Sequence, residues 1–234
     1  MDYKYYLWDV DGTILDFEAA EKAAIKKLFD RFGFGVCTDD MVKSYSLINK
    51  KYWQALERGE MTKPEILVGR FKEFFETQGI DTGLAHEFNE AYQLALGDTI
   101  VFCENAMEII EMQKANAKVV LVTNGTATAQ KKKLDRSGLD KIADYVFISE
   151  EVGYEKPSPA FFEKVFSEVG IEDKKEALLI GDSITSDIQG GINAGIDTCW
   201  YNPKNEKNSK DLIPTYEIRS LSELFLDGKE TFFT

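Results

Sequence analysis

The chain has 234 residues, more than the commonest size of a single domain, so we expect one large domain or a domain that carries an insertion. Its formal net charge is −13, and its longest basic tract, Lys131-Lys132-Lys133, falls on a predicted helix surface. Such a surface repels nucleic acid polymers and anionic membranes. No stretch approaches the roughly 18 consecutive apolar residues of a membrane span, and the N-terminal residues do not resemble a secretion signal. Because the three cysteines are widely separated and lack metal-ligand spacing, we expect a cytoplasmic protein.

A β-rich run from Tyr5 to Val10 predicts the first strand, and helical periodicity follows it, without a convincing strand, as far as Gly97. The predicted helices of this stretch are Glu18 to Phe32, Asp39 to Arg58, Lys63 to Gln78 and Gly83 to Leu96. We expect residues 17–97 to form an all-helical cap domain that folds over one edge of the core. The core would then comprise residues 1–16 and 98–234.

A predicted helix from Glu104 to Asn116 returns the chain to this core. Short apolar strands alternate with helical patterns after it: Lys118 to Val122, Tyr145 to Ser149, Ala177 to Ile180 and Thr198 to Tyr201, with a last strand near Tyr216 to Ile218 and a helix from Leu221. The alternation predicts an α/β fold, a Rossmann-like doubly wound parallel sheet covered on both faces. In such sheets ligands bind at the carboxyl ends of the strands.

Asp9 and Asp11 end the first strand within the motif Asp-Val-Asp-Gly-Thr. Residues two apart in a strand point to the same side, so both carboxylates are expected to face one pocket. One can serve as a nucleophile and the other as a general acid and base. Aspartates also end strands as turn formers, which is the alternative for this motif alone.

Thr123-Asn124-Gly125 follows the second strand, directly before a helix expected near Ala127. A hydroxyl, an amide and free N–H groups at a helix start can hold a phosphate, although Thr and Asn are also favoured helix caps. Lys156 follows the third strand at the same edge, where it can neutralise a phosphate. A surface lysine held between prolines is the alternative.

Asp182 and Asp187 follow the fourth strand. Mg²⁺ prefers hard oxygen ligands, so Asp9, Asp182 and one main-chain carbonyl suffice to hold it. Helix capping and a surface acid are the alternative, and they explain Asp187 better than Asp182. Four strand ends that carry an acid pair, a hydroxyl, a lysine and a second acid pair, in this chain order, seldom occur together by chance. Four carboxylates beside one lysine also require a divalent cation or a retained proton.

These motifs resemble those of the haloacid dehalogenase-like hydrolase superfamily over nearly the whole chain: Asp9-x-Asp11-x-Thr13, Thr123-Asn124-Gly125, Lys156-Pro157 and Gly181-Asp182-x4-Asp187. The helical insertion resembles the C1 cap of that superfamily. The resemblance implies a magnesium-dependent hydrolase of phosphate monoesters that forms an aspartyl-phosphate on Asp9. It also implies that Asp11 protonates the leaving alcohol and later activates water.

The resemblance assigns the remaining residues as well. Thr123 and Lys156 would bind the phosphate, together with backbone N–H groups near Gly12, Asn124 and Gly125. The metal would be held by Asp9, Asp182 and the main-chain oxygen of Asp11, and Asp187 would orient Lys156 or a metal-bound water.

A narrower resemblance concerns the leaving group. Residues 15–21, 181–188 and 195–203 look like the bacterial YjjG/YfnB-type group, which includes pyrimidine 5'-nucleotidases. Gly12 departs from the Asp that many members carry. The resemblance implies a nucleoside 5'-monophosphate as the substrate, while phosphoglycolate, a sugar phosphate or a phosphomutase reaction stays open. A dehalogenase is disfavoured because Asp11 and the second acid pair would be redundant, and a non-enzymatic binding protein is disfavoured because every expected catalytic residue is present.

The predicted cap is less informative about function. Several aromatic and basic residues of the predicted cap have two interpretations. They line a pocket in which aromatic rings stack on a base, or they form the core of the helices: Tyr45, Trp53, Arg70, Phe71 and Phe74. The only histidine, His86, is expected on a helix as a surface or packing residue. Both a monomer and a homodimer are compatible with the sequence.

Overall fold

The computed structural model describes residues 3–208 and 210–225, and its centre is a six-stranded parallel sheet. The strands are β1 (Tyr5–Trp8), β2 (Lys118–Thr123), β3 (Tyr145–Ile148), β4 (Ala177–Gly181), β5 (Asp197–Tyr201) and β6 (Tyr216–Ile218). Their spatial order is β3-β2-β1-β4-β5-β6, and every neighbouring pair is parallel. The chain order therefore reverses between β1 and β4, which confirms the predicted doubly wound sheet.

The helices follow in chain order as α1 (Phe17–Arg31), α2 (Asp39–Glu57), α3 (Lys63–Gln78), α4 (Ala85–Leu96), α5 (Ala106–Lys114), α6 (Ala127–Ser137), α7 (Leu139–Ile142), α8 (Ser149–Val152), α9 (Pro159–Val169) and α10 (Gln189–Ala194). Single turns of other geometry occur at Thr82–Leu84, Lys174–Glu176 and Leu221–Phe225, and a π-helical turn spans Ile184–Ile188. In the described residues no helix combines the length and apolar character needed to cross a bilayer.

The central strands are buried on both faces. In β1 the side chains of Tyr6 and Trp8 belong to one apolar cluster, while Leu7 belongs to the cluster on the opposite face. Because successive side chains of a strand point to opposite sides, a strand covered on both faces needs an unbroken apolar run. This requirement explains why the central strands β1 and β4 contain no polar alternation.

Four helices, α1 to α4, occupy the chain between β1 and α5 and pack around an aromatic core of their own. The buried rings of this core are Phe29, Tyr45, Phe71, Phe74, Phe75, Phe88 and Tyr92. Local capping fixes the helix starts: the Asp16 carboxylate accepts a hydrogen bond from the Ala19 N–H, and the Glu65 carboxylate accepts one from the Thr62 N–H. The helical layer therefore has its own apolar interior.

The two chain segments that join these helices to the sheet run side by side. The Cys103 N–H donates to the Ile14 carbonyl at 2.8 Å, and the Asp16 N–H donates to the Val101 carbonyl at 2.8 Å. These bonds lie close to the predicted junctions. The division into a cap of residues 17–97 and a core remains a prediction.

Some predicted helix ends were wrong. The fourth helix begins at Ala85 rather than Gly83, because Asp81 caps a separate turn over Thr82–Leu84. The helix predicted from Glu104 begins at Ala106, because Asn105 has a left-handed backbone with φ 64°. The helix predicted from Leu221 is a 3-10 turn over Leu221–Phe225, and its predicted continuation lies outside the described residues.

Candidate active site

The strand register brings the predicted motifs to one edge of the sheet. Trp8 of β1 is level with Leu121 of β2 and Ile180 of β4. The residues that follow these positions therefore leave the sheet at the same height. A single cavity at this edge is lined by Asp9, Asp11, Thr123, Asn124, Gly125, Asp182 and Asp187.

Lys156 lies at the centre of the site and is almost completely buried, with 1% of its surface exposed. Its Nζ donates to Asp9 Oδ1 at 2.7 Å, to Asp187 Oδ1 at 2.6 Å and to the Val122 carbonyl at 2.8 Å. All three N–H groups of the ammonium are thus bonded. The alternative of a surface lysine held between prolines is wrong.

The pKa values of these groups show how closely their charges are coupled. Burial alone would lower the pKa of Lys156, but the Asp187 and Asp9 charges outweigh it and raise that pKa. Burial raises the pKa of Asp9, although the Lys156 charge opposes the shift. Asp182 keeps exposed surface toward the cavity but is otherwise surrounded by protein. Burial and the neighbouring Asp9 and Asp187 charges together raise the pKa of Asp182 well above its usual range.

The residues present fit a divalent cation. One carboxylate oxygen each from Asp9, Asp182 and Asp187 lies within 4.8 Å of the others. The Thr13 hydroxyl is also close, 3.3 Å from Asp9 Oδ2 and 3.5 Å from Asp182 Oδ1. Carboxylate oxygens are the hard donors that Mg²⁺ prefers, and a cation would relieve the mutual repulsion that raises the pKa values of Asp9 and Asp182.

Asp187 uses both of its carboxylate oxygens within the protein. Oδ1 accepts from Lys156 Nζ, and Oδ2 accepts from the Ser183 N–H at 3.0 Å. A buried carboxylate with both oxygens occupied in this way orients its partners. These contacts hold the Lys156 ammonium and the Ser183 backbone in place around the Asp187 carboxylate.

Asn124 has a structural contact that the sequence did not reveal. Its side-chain nitrogen donates to the Lys156 carbonyl at 2.8 Å, and its side-chain oxygen accepts from the Lys156 N–H at 2.8 Å. This reciprocal pair fixes the backbone of the loop that carries Lys156. The Asn124 side chain thereby links the end of β2 to that loop.

Two glycines permit close approach around the carboxylates. Gly12 has φ +94°, and a Cβ added to it would lie 2.5 Å from Asp182 Oδ2. A Cβ on Gly125 would collide with the Gln130 amide. In this backbone geometry both positions therefore favour glycine.

Asp11 contacts two residues of α6 that sequence reasoning missed. Lys133 Nζ donates to its two carboxylate oxygens at 2.6 and 2.8 Å, and Gln130 Nε2 donates to Oδ2 at 2.6 Å. The prediction that the basic tract lies on a helix surface was wrong for Lys133, which is 1% exposed. A signal was present in the sequence: residues 130 and 133 are one helical turn apart.

The helices α1 to α4 supply the other wall of the same cavity. Of the predicted cap residues, Trp53 and Arg70 line the cavity, whereas Tyr45, Phe71 and Phe74 lie in the aromatic core. Other residues of these helices that line the wall were not predicted: Phe17, Asn49, Glu57, Gln93 and Leu96. The His86 side chain is exposed and lies 3.8 Å from Glu90, as expected for a surface residue.

Comparison with known proteins identifies the class of this protein. A sequence model described as haloacid dehalogenase-like hydrolase matches residues 3–195. The chain therefore belongs to the haloacid dehalogenase-like hydrolase family.

Individual relatives match over almost the full chain. The chain is 36% identical to the pyrimidine 5'-nucleotidase PynA of Streptococcus pneumoniae, covering 96% of this chain and 94% of that one. It is 30% identical to the pyrimidine 5'-nucleotidase YjjG of Escherichia coli, covering 96% and 97%. The crystal structure of the HAD-hydrolase YfnB of Bacillus subtilis bound to magnesium superposes with a TM-score of 0.90 at 37% identity, covering 96% of this chain and 98% of that one. These relatives confirm the predicted resemblance to the YjjG/YfnB-type group.

Proposed function

We propose that this chain is a magnesium-dependent phosphatase of nucleoside 5'-monophosphates that acts through an aspartyl-phosphate on Asp9. The contact of Asp9 with Lys156, at the edge of the sheet where Asp182 also lies, is the observation that carries this proposal. The two pyrimidine 5'-nucleotidase relatives support the nucleotide as the substrate class. The partner is then a small phosphorylated metabolite rather than a nucleic acid polymer.

Asp9 is the proposed nucleophile. Its Oδ1 is bonded to Lys156 and its Oδ2 to Thr13, so the carboxylate is held in one orientation at the floor of the cavity. Attack of a carboxylate oxygen on phosphorus forms the acyl phosphate and releases the alcohol. The Lys156 ammonium offsets the negative charge of both Asp9 and the phosphate.

The other core residues position the phosphate and the proton. Thr123 lines the cavity beside the backbone of Asn124 and Gly125, where a hydroxyl and N–H groups would bind phosphate oxygens. Asp11 lies beside the nucleophile and would give a proton to the leaving alcohol and later take one from water. Mg²⁺, held by Asp9, Asp182 and the main-chain oxygen of Asp11, would supply positive charge to the phosphate oxygens.

The helices α1 to α4 are proposed to act as a cap domain of residues 17–97 that covers this site and selects the leaving group.

All three cysteines are free thiols, which agrees with a reducing compartment, and we place the enzyme in the cytoplasm on that basis.

Replacement of Asp9 by Asn tests the proposal. Wild type is expected to release inorganic phosphate from nucleoside 5'-monophosphates with Mg²⁺ and to lose this activity with a chelator. The Asp9→Asn variant is expected to be inactive, because an amide cannot form the acyl phosphate. Asp197→Asn serves as a control, since that residue also lies in the sheet but is bonded to Tyr3 and Thr215. Unchanged Mg²⁺-dependent activity of the Asp9→Asn variant would refute the nucleophile.

A further inference from the structure

We propose that Arg70 and Asn49 form a subsite for an uncharged pyrimidine base, in which they bind a ring carbonyl and the neighbouring ring N–H. This inference rests on the proposed function, because it assigns the base of the nucleotide to a particular wall of the cavity. Uracil and thymine carry the required pair of groups, a carbonyl next to N3–H.

The cavity itself sets the direction in which a substrate must extend. Its core wall contains Asp9 and Asp182, whereas the opposite wall contains Asn49, Trp53 and Arg70. A phosphate placed against Asp9 leaves its ester group pointing away from the sheet. The remainder of the substrate therefore meets the residues of α2 and α3.

Arg70 is held rigidly in this wall. Only 2% of its surface is exposed, and its guanidinium lies 5.1 and 5.2 Å from the ring centroids of Phe71 and Tyr92. Nε donates to the Leu67 carbonyl, Nη1 donates to Asn49 Oδ1 at 2.7 Å, and Nη2 donates to Asn89 Oδ1 at 3.1 Å. Each terminal nitrogen keeps one further N–H, so a fixed donor pair remains for a ligand.

Asn49 is oriented by bonds on both sides of its amide. Its Oδ1 accepts from Arg70, and its Nδ2 donates to Glu21 Oε2 at 2.9 Å. The amide oxygen keeps one acceptor site. Next to the Arg70 donors, this acceptor completes a donor and acceptor pattern that matches a ring carbonyl and an adjacent N–H.

The charge of this wall favours an uncharged ligand over a second anion. Glu21 is buried and lies one amide away from Arg70, through Asn49. Its carboxylate also accepts a hydrogen bond from Ser46. The negative charge behind Asn49 offsets the guanidinium, so the wall offers directed hydrogen bonds with little net positive charge.

Aromatic side chains beside these polar groups suit a planar ring. Trp53 and Phe17 line the same cavity as Arg70 and Asn49. An indole or phenyl face can stack on a base, while the polar groups bind the ring edge. The combination indicates a heterocycle rather than a short acid or an open-chain sugar.

The test compares uridine 5'-monophosphate with ribose 5-phosphate, which has the same phosphate ester and no base. In the Arg70→Lys variant, kcat/KM for uridine 5'-monophosphate is expected to fall roughly ten- to a hundredfold, while that for ribose 5-phosphate changes by less than about twofold. Lysine keeps the charge but not the paired donors. Asn49→Ala is a second variant, expected to reduce the preference for uridine over cytidine 5'-monophosphate, because the cytosine ring lacks the N3–H donor.

Arg58→Lys is the matched control, since Arg58 also belongs to this helical layer but pairs with the exposed Glu60. Thermal unfolding of each variant verifies that it is folded. An equal loss on both substrates in Arg70→Lys would overturn the inference and leave the phosphatase proposal intact. Selective loss of phosphoglycolate hydrolysis would overturn it as well, because Arg70 would then bind an anion. A wild type that hydrolyses ribose 5-phosphate but no nucleotide would instead refute the proposed substrate.

Discussion

At the scale of single residues, the two carboxylates of the first motif have different partners. Asp9 is bonded to Lys156 in the buried loop after β3, whereas Asp11 is bonded to Lys133 and Gln130 of α6. Both carboxylates line one cavity, as the spacing predicted, but each is oriented by its own cation. This difference agrees with the distinct roles proposed for them.

Replacement of Lys133 by Met is expected to impair the proposed proton transfer by Asp11 more than the attack by Asp9. For a nucleotide, whose alcohol leaving group needs a proton, kcat is expected to fall roughly tenfold or more. For p-nitrophenyl phosphate the loss should be smaller, because nitrophenolate leaves without a proton. Steady-state kinetics with both substrates measures the difference.

Lys131→Met is the control for this experiment, because Lys131 is on the same helix but its side chain is exposed and pairs with Glu151. It is expected to leave both rates unchanged. Equal losses on the two substrates in Lys133→Met would contradict a role for Lys133 in positioning Asp11.

The residues that stand directly after strands could be predicted from the sequence, because parallel strands of similar length bring their ends together. Asp9 and Asp182 follow this rule, and Thr123 is the last residue of β2. Lys156 reaches the same edge from the loop after α8. Lys133 and Gln130 could not be identified in the same way. Both are polar residues in a stretch that contains three consecutive lysines, and only the packing of α6 against the first motif shows that both are buried.

At the scale of secondary-structure elements, the position of α10 decides how the second acid pair is presented. The π-helical turn at Ile184–Ile188 carries Asp187 and leads directly into α10. Gly191 allows this helix to pack on β5, since a Cβ there would collide with Thr198 Cγ2. Close packing of α10 thus fixes the turn that contains Asp187.

Gly191→Ala is expected to destabilise the protein by about 1–3 kcal/mol, because the added methyl group forces α10 away from β5. Chemical denaturation measures the free energy of unfolding. Ile192→Ala is the control on the same helix, where a side chain that is 40% exposed should change stability by less than ~0.5 kcal/mol. A Gly191→Ala variant as stable as the wild type would show that the helix can shift without cost.

Element types were predicted more accurately than element ends. The six strands and the four helices between β1 and α5 were found where the periodicity indicated. The late start of α5 depends on the left-handed Asn105, which a general helix pattern does not reveal. The wall formed by α1 to α4 was the least predictable part, because only tertiary contacts bury its polar residues: Asn49 is bonded to Arg70 of α3, and Gln93 is bonded to Thr126.

At the scale of the whole molecule, the acidic balance of the chain extends into its interior. Glu57, the last residue of α2, lines the cavity, and one of its carboxylate oxygens is buried with no hydrogen-bond partner among the described residues. Burial raises the pKa of Glu57 from 4.5 to about 7, and the Asp187 charge adds to the shift. The folded protein therefore binds this proton more tightly than the unfolded chain does.

This shift predicts a pH dependence of stability. A raised carboxyl pKa does not reduce the free energy of unfolding below about pH 4.5, where the carboxyl group is protonated in both the folded and the unfolded chain. The reduction grows as the pH rises and is complete above about pH 7. Above that pH, Glu57→Gln is expected to be more stable than the wild type by roughly 1–3 kcal/mol, and the difference should vanish at low pH. Denaturation at several pH values measures the curve.

Glu163→Gln, at an exposed position of α9, is the control and should show no such trend. If Glu57→Gln and wild type differed by the same amount at every pH, the carboxyl group would not be the cause.

The placement of the three tryptophans has a practical consequence. Trp8 directly precedes Asp9, Trp53 lines the cavity from α2, and Trp200 donates its indole N–H to the Asp182 carbonyl at 2.9 Å. Trp53 and Trp200 thus adjoin the site, whereas the Trp8 indole is buried in the core and donates to Gln113. A cation bound at Asp182 is expected to change the emission of Trp200, and a ligand bound beside the helices is expected to change the emission of Trp53. With Trp53→Phe, the two optical signals can be separated without any attached dye.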